Sequence, residues 1–248
     1  MEDVNREDAI ELIKSNIGKF GRHIYMVSGG PEPRYAYTIG LSSLTGFELV
    51  LAGASFYFAD DVKEIINEIA SRIHSPLDLS KETIALDRFG VFHFREVHAS
   101  WRDKMMLGAF DYYENRDIRA FQIVPDERHW TADIPILSNP WDEHKEPAWK
   151  WLVMPWVLQV SPQSVVTTNL DALRGERVTE AARWEETEWE IFAGIGPDVP
   201  HDEIRVVPLA TLLGIDPSTD EVLNLKVGDG LYRDANELSW LAWNASNA

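Results

Sequence analysis

The sequence predicts an α+β protein: a small mixed sheet with two or three flanking helices, followed by a small β-rich barrel-like or sandwich unit. Three observations predict it. Runs of β-branched and aromatic residues, above all Tyr35-Ala36-Tyr37-Thr38-Ile39-Gly40-Leu41, are bounded by turn residues and read as buried strands. Two stretches repeat apolar residues at helical spacing. Beyond Pro155 the pattern changes to short alternating runs separated by turn signals. At 248 residues the chain can build one large or two small units without staples. We divide it into residues 1–135, a connection over 136–156, and residues 157–248.

Asn5 reads as an N-cap with Asp8 at the third helical position. Ile10, Ile13 and Ile17 then recur at helical spacing, with Leu12 beside them and Gly18 as the stop. Residues 23–27 form a short strand, and Gly29-Gly30-Pro31-Glu32-Pro33 turns the chain into the central strand. Phe47-Glu48-Leu49-Val50-Leu51-Ala52 follows, and its near-continuous apolarity implies cover on both faces. Asp60 or Asp61 opens a second helix, with Val62, Ile65, Ile66, Ile69 and Ile73 on one stripe and Lys63, Glu64, Asn67 and Glu68 facing water. Residues 84–86 and 91–97 read as strands around Asp87-Arg88-Phe89-Gly90. A shorter helix is expected over 104–113, and residues 120–124 return as a strand.

Between His129 and Trp156 the chain carries five tryptophans and four prolines, a composition that disfavours long regular elements. The aromatics read as pins that pack the connection onto its neighbours, with an exposed aromatic platform as the sharper alternative. Strands are then expected over 156–160, 164–168, 176–183 and 189–194. Residues 206–213 hold a strand end and a helical turn. Asp216-Pro217-Ser218 is a capped entry into a short helix, and residues 228–233 and 238–243 close the chain as strands.

Composition excludes several classes of chemistry. There is no cysteine, hence no disulfide, thiol nucleophile or Cys-ligated zinc. No apolar run approaches the roughly 20 residues of a membrane span, and the first residues lack the basic and apolar regions of a signal peptide. A cytoplasmic protein is expected. The net charge is −18, from 41 acidic and 23 basic side chains, and the acidity is denser after residue 153. Such a field repels nucleic acid and anionic membranes and speeds encounter with a basic partner.

No catalytic constellation emerges from the residues. The seven histidines lack metal-ligand spacing. Gly53-Ala54-Ser55-Phe56-Tyr57 misses the nucleophile-elbow pattern at its last position. Adjacent acids such as Asp60-Asp61, Glu185-Glu186 and Asp202-Glu203 read first as solvated faces. Strand ends often cluster, so Arg22-His23 and Asp126 are expected to meet across the sheet. Arg22, Tyr37, Thr38, Asp126 and His129 make the candidate ligand site.

Two resemblances add to this reading. Residues 17–135 resemble a bacterial family catalogued as domain-of-unknown-function family 4262. The resemblance is carried by Gly21-Arg22-His23-Ile24-Tyr25-Met26-Val27, by the Tyr-Thr-x-Gly-Leu core, by Phe47 to Gly53 and by Phe121-Gln122-Ile123-Val124-Pro125-Asp126 with Trp130. Where that family has Pro-Glu-Leu, this chain has Phe47-Glu48-Leu49. Residues 157–243 resemble an immunity-protein family found beside polymorphic toxins, through Trp189-Glu190-Ile191-Phe192-Ala193-Gly194, residues 206–213, Asp216-Pro217 and Gly228-Asp229-Gly230-Leu231-Tyr232-Arg233. The second resemblance implies a binding protein that neutralises a cognate, basic toxin or effector by protein–protein contact, with no cofactor, metal or catalysis of its own. Glu185, Glu186, Glu188, Asp198, Asp202 and Glu203 are then the expected contact acids. The alternatives are an enzyme or a flavin or metabolite binder on the first sheet, or a two-domain adaptor.

Overall fold

The apolar runs do become strands, and in the computed structural model they assemble into two six-stranded mixed sheets. Residues 6–73, 79–194 and 199–243 are described; Asn5 and Asp198 lie outside them. The first sheet holds β1 (His23–Val27), β2 (Tyr35–Ile39), β3 (Glu48–Ala52), β4 (Thr83–Leu86), β5 (Gly90–Glu96) and β6 (Ala120–Pro125). Its spatial order is β1-β2-β3-β6-β5-β4. Only the central β3–β6 pair is parallel, with Leu49 opposite Phe121. Five helices accompany it: α1 (Arg6–Phe20), α2 (Ser42–Thr45), α3 (Ala59–Arg72), α4 (Ala99–Met105) and α5 (Leu107–Tyr113).

Cover on both faces explains the strand composition. The stripe of α3, Val62, Ile65, Ile66 and Ile69, packs on Leu49, Leu51, Phe92 and Phe121. On the other face Ile13, Trp101, Phe110 and Trp149 close over Tyr35, Tyr37, Ile39 and Val50. β2, β3 and β6 are buried along their whole length, as near-continuous apolar strands require.

The single helix expected over 104–113 is instead part of two. Met106, fully buried at φ −105 and ψ 35, leaves the helical region, and its carbonyl restarts the ladder by accepting from the Ala109 and Phe110 N–H groups.

The second sheet holds β7 (Val165–Asn169), β8 (Val178–Arg183), β9 (Glu188–Ala193), β10 (Ile204–Pro208), β11 (Gly230–Tyr232) and β12 (Leu241–Ala242), ordered β10-β7-β9-β8-β11-β12. Again one pair, β7–β9, is parallel. The sheet is open, with β10 and β12 at its edges, and does not close into a barrel. α6 (Leu170–Leu173), α7 (Leu209–Ile215) and a 3₁₀ segment over Pro217–Asn224 accompany it, and Leu173, Leu209, Leu212 and Val222 join its core. Asp216 caps the 3₁₀ segment by accepting from the Ser218 N–H at 3.0 Å.

The strand expected over 156–160 is absent. There the Trp156 indole donates to the Val160 carbonyl at 2.7 Å, so the segment curls on itself and one of its acceptors is taken by a side chain.

The Trp-rich connection packs into both neighbours. Trp149 is buried in the core of the first sheet and donates to the Asp133 carbonyl at 2.8 Å. Its 3₁₀ turn (Pro147–Leu152) lies on α7 so closely that a Cβ on Gly214 would stand 2.4 Å from the Ala148 Cα. The Ala132 N–H donates to the Leu173 carbonyl at 2.7 Å, and Arg205 Nε to the Phe56 carbonyl at 2.8 Å, tying the two sheets together.

Candidate functional site

Parallel neighbours release the chain at the same end of a sheet. Past the ends of β3 and β6 lie Ser55 and Tyr57 on one side and Asp126 and His129 on the other. Asp126 is fixed by its own turn: one carboxylate oxygen accepts from the Val91 N–H at 2.8 Å, the other from the Arg128 N–H at 3.1 Å. That second oxygen also meets His129 Nδ1 at 2.6 Å. The imidazole stacks on Tyr57 with centroids 5.8 Å apart and receives Phe56 edge-on at 4.8 Å. Gly90 makes room for this dyad. At φ +91, any Cβ there would sit 2.5 Å from the imidazole Cε1, so glycine satisfies both the backbone and the close approach.

Partial burial pushes the Asp126 carboxyl up, but the hydrogen bonds from Val91 and His129 outweigh it and hold the group below the usual carboxylate range. Beside the dyad a cleft of about 890 Å³ opens along β5 and residues 124–136. Val91, Trp130 and Ile136 are exposed in it, with His93, Arg95 and Arg128 on its walls. In a chain this acidic, a cleft carrying two arginines and two histidines against Asp126 and Glu127 stands out electrostatically.

The opposite end of the same sheet holds a different arrangement. Glu48 opens β3 with no solvent exposure. One oxygen accepts from the Thr38 hydroxyl at 2.5 Å. The other accepts from the N–H groups of Gly40 and Ser42 at 3.1 and 3.0 Å, and from the Tyr113 hydroxyl at 2.5 Å. Burial pushes this carboxyl up, opposed by the hydrogen bonds from Thr38, Tyr113 and Ser42. The Tyr-Thr-x-Gly-Leu stretch thus supplies two donors of a carboxylate cage, and Gly40 (φ +101) approaches α1 so closely that a Cβ would meet Ile17 at 2.8 Å. The signal for Glu48 was present in the sequence: one acid inside an otherwise apolar run.

The five residues of the candidate ligand site do not come together. Arg22 precedes β1, whose first residue pairs with Ile39. It bonds Asn67 and Ser71 of α3 at 3.0–3.1 Å, so the expected meeting with Asp126 across the sheet does not occur. Thr38 belongs to the Glu48 cage. The buried Tyr37 phenol, pushed up by burial, accepts from the Gly108 N–H at 3.1 Å. Only Asp126 and His129 form a cluster.

The expected contact acids also divide. Glu185, Glu186 and Glu188 are exposed around the β8–β9 turn, whereas Asp202 and Glu203 precede β10. β7 pairs with Glu188 through Val165 and with Ile204 through Asn169, which places the two groups at opposite ends of the sheet. Among the described residues no group of three His, Asp or Glu side chains is placed to hold a metal ion, and no helix is long and apolar enough to cross a membrane.

A family model described as "Domain of unknown function (DUF4262)" matches residues 16–131, which carry all of the first sheet. The match does not extend into the second. No curated protein and no solved structure matches the chain.

Proposed function

We propose that the protein is an acidic, immunity-type binding protein that neutralises a cognate toxin domain by protein–protein contact, without catalysis of its own. The observation that carries this reading is Trp184, 49% exposed at the tip of the β8–β9 hairpin beside Glu185, Glu186 and Glu188. The tip is held rigid. The Trp184 N–H donates to the Glu188 carbonyl at 3.0 Å. Arg183 donates to the carbonyls of Glu186 and Leu225 at 2.7 and 2.8 Å and lies over Trp189. Val227, more than half exposed, stands on the neighbouring loop, where the Gly228 N–H reaches the Arg183 carbonyl. A rigid aromatic anchor within a negative rim suits a hot spot for a basic protein surface.

The test is association kinetics against any toxin-like domain encoded beside this chain's own gene. Trp184→Ala should weaken binding by about 2 kcal/mol or more, roughly thirtyfold. Neutralising Glu185, Glu186 and Glu188 to Gln should slow association and flatten its salt dependence. Asp202→Asn, at the far end of the sheet, should change neither. An unaltered affinity for Trp184→Ala, with a flat salt profile for the wild type, would refute the reading.

The cleft beside Asp126 and His129 favours a second reading, a small-ligand binder on the first sheet. A metabolite or flavin bound there at a hundred times its Kd would add about 2.7 kcal/mol of stability. A thermal-shift screen in which nothing moves the wild-type melting point would discard it.

A further inference from the structure

Where the two sheets meet, Arg34, just before β2, and Arg205, in β10, line one pocket of about 170 Å³ together with Ser55, Tyr57, Phe58 and Val207. Arg205 is 6% exposed. Each guanidinium group gives part of its donors to backbone carbonyls, and among the described residues Arg34 Nη1 and Arg205 Nη2 make no hydrogen bond. Arg34 Nη2 donates to Tyr57 at 2.7 Å. Arg205 donates to Phe56 through Nε at 2.8 Å, and through Nη1 to Asp202 and Ile204 at 2.7 and 2.8 Å. Among the described residues no carboxylate hydrogen-bonds to either cation. Of the carboxylates whose charge reaches them, Asp61 holds Arg88 and the Phe58 N–H, both at 3.0 Å, and Asp133 holds the Ser55 hydroxyl at 2.6 Å, while Asp202 and Glu203 act on Arg205 through charge without a side-chain hydrogen bond to it. Arg34 Nε is sealed from solvent and has no acceptor.

Two like charges drawn out of water beside each other are unfavourable unless a counter-charge joins them. Arg205 gains some relief from the ring of Phe58, 4.3 Å from its guanidinium carbon. A ring does not neutralise the pair. The turn that builds the wall is strained: Ala54, a non-glycine residue, sits at φ 57, a conformation held only where the surroundings enforce it.

We infer that this pocket binds a small tetrahedral oxyanion, a phosphate or sulfate group, clamped between Arg34 and Arg205. The donors left over, Arg34 Nη1 and Arg205 Nη2, can each give charge-assisted hydrogen bonds to such oxygens from opposite sides. The volume leaves room for one such group together with water. The anion would bridge the first sheet to β10 and so tighten the junction between the sheets. The inference stands independently of the toxin-binding reading.

The test is calorimetric titration of the whole protein with inorganic phosphate and with glycerol phosphate, at constant ionic strength in chloride. Wild-type protein should bind at least one of them saturably and melt higher in phosphate than in chloride. Arg34→Gln and Arg205→Gln should each weaken binding at least about tenfold. Tighter binding of free phosphate would identify the free ion as the ligand, and tighter binding of the ester would identify a phosphate terminus; either outcome supports the site. Because an arginine variant can fail to fold, wild-type crystals soaked in selenate provide a second readout, with an anomalous peak expected between the two guanidinium groups. No binding of either ligand, binding unchanged in both variants, or a selenate peak only elsewhere would overturn the proposal.

Discussion

The two sheets share a plan and differ in their exposure to water. Each has six strands and one parallel pair. In the first, both faces of β2, β3 and β6 are dry. In the second, burial alternates: Trp189, Ile191 and Ala193 of β9 turn inward, while Glu188 is exposed and Glu190 and Phe192 are half-buried. A polar side chain therefore has different work in each. In the dry sheet a carboxylate such as Glu48 must find every partner within the protein. In the half-wet sheet polar and aromatic groups are left at the surface, where recognition can use them.

The comparison is easiest to break at the buried polar groups. Glu48→Ala would strand two hydroxyls and two N–H groups in a dry interior, and a loss of roughly 3 kcal/mol or more is expected. The counterpart in the second sheet is Asn169. It bonds both backbone groups of Ala193 at 2.7 and 3.1 Å across the parallel pair, and accepts from the Ala172 N–H at 3.3 Å as the cap of α6. Asn169→Ala should cost about 1–2 kcal/mol. Urea midpoints at unchanged slope measure both, and the reverse ranking would sink the claim that the doubly covered sheet makes its polar groups costlier to lose.

The smallest effect concerns pH and separates the two ends of the first sheet. Asp126 has a depressed folded-state pKa, so its contribution is present above the unfolded value of about 3.9 and is lost as pH falls through the lower folded value. Glu48 is raised, so its contribution is present below about 4.3 and is lost as pH rises through the higher folded value. Asp126→Asn should flatten the acid limb of the stability profile, and Glu48→Gln the limb above it. Stability curves for the two variants that coincide from about pH 3 to pH 8 would contradict these opposite signs.

How much of this could be read from the sequence depended on the range of the interactions involved. The strands of the first sheet were legible because burial on both faces leaves a continuous apolar trace, as in residues 47–52. The helical stripe of α3 was legible for the same reason. The break at Met106 was not, because buried Met and Phe look alike on either side of it. The strand expected at 156–160 failed because Trp156 bonds within its own segment. At the sites, Asp126 and His129 lie three residues apart and one turn joins them. Glu48 is interpretable only with Tyr113, 65 residues away, and Arg34 meets Arg205 only after both sheets have formed. No local spacing encodes such pairings.

Trp149 carries a consequence for where this molecule ends as a folding entity. Its ring lies 6.1 Å from that of Tyr35 and its indole reaches Asp133, yet the match to the family model stops at residue 131. The unit of similarity is therefore shorter than the unit that closes the core. A polypeptide cut to residues 16–131 would present an unroofed slot over Tyr35.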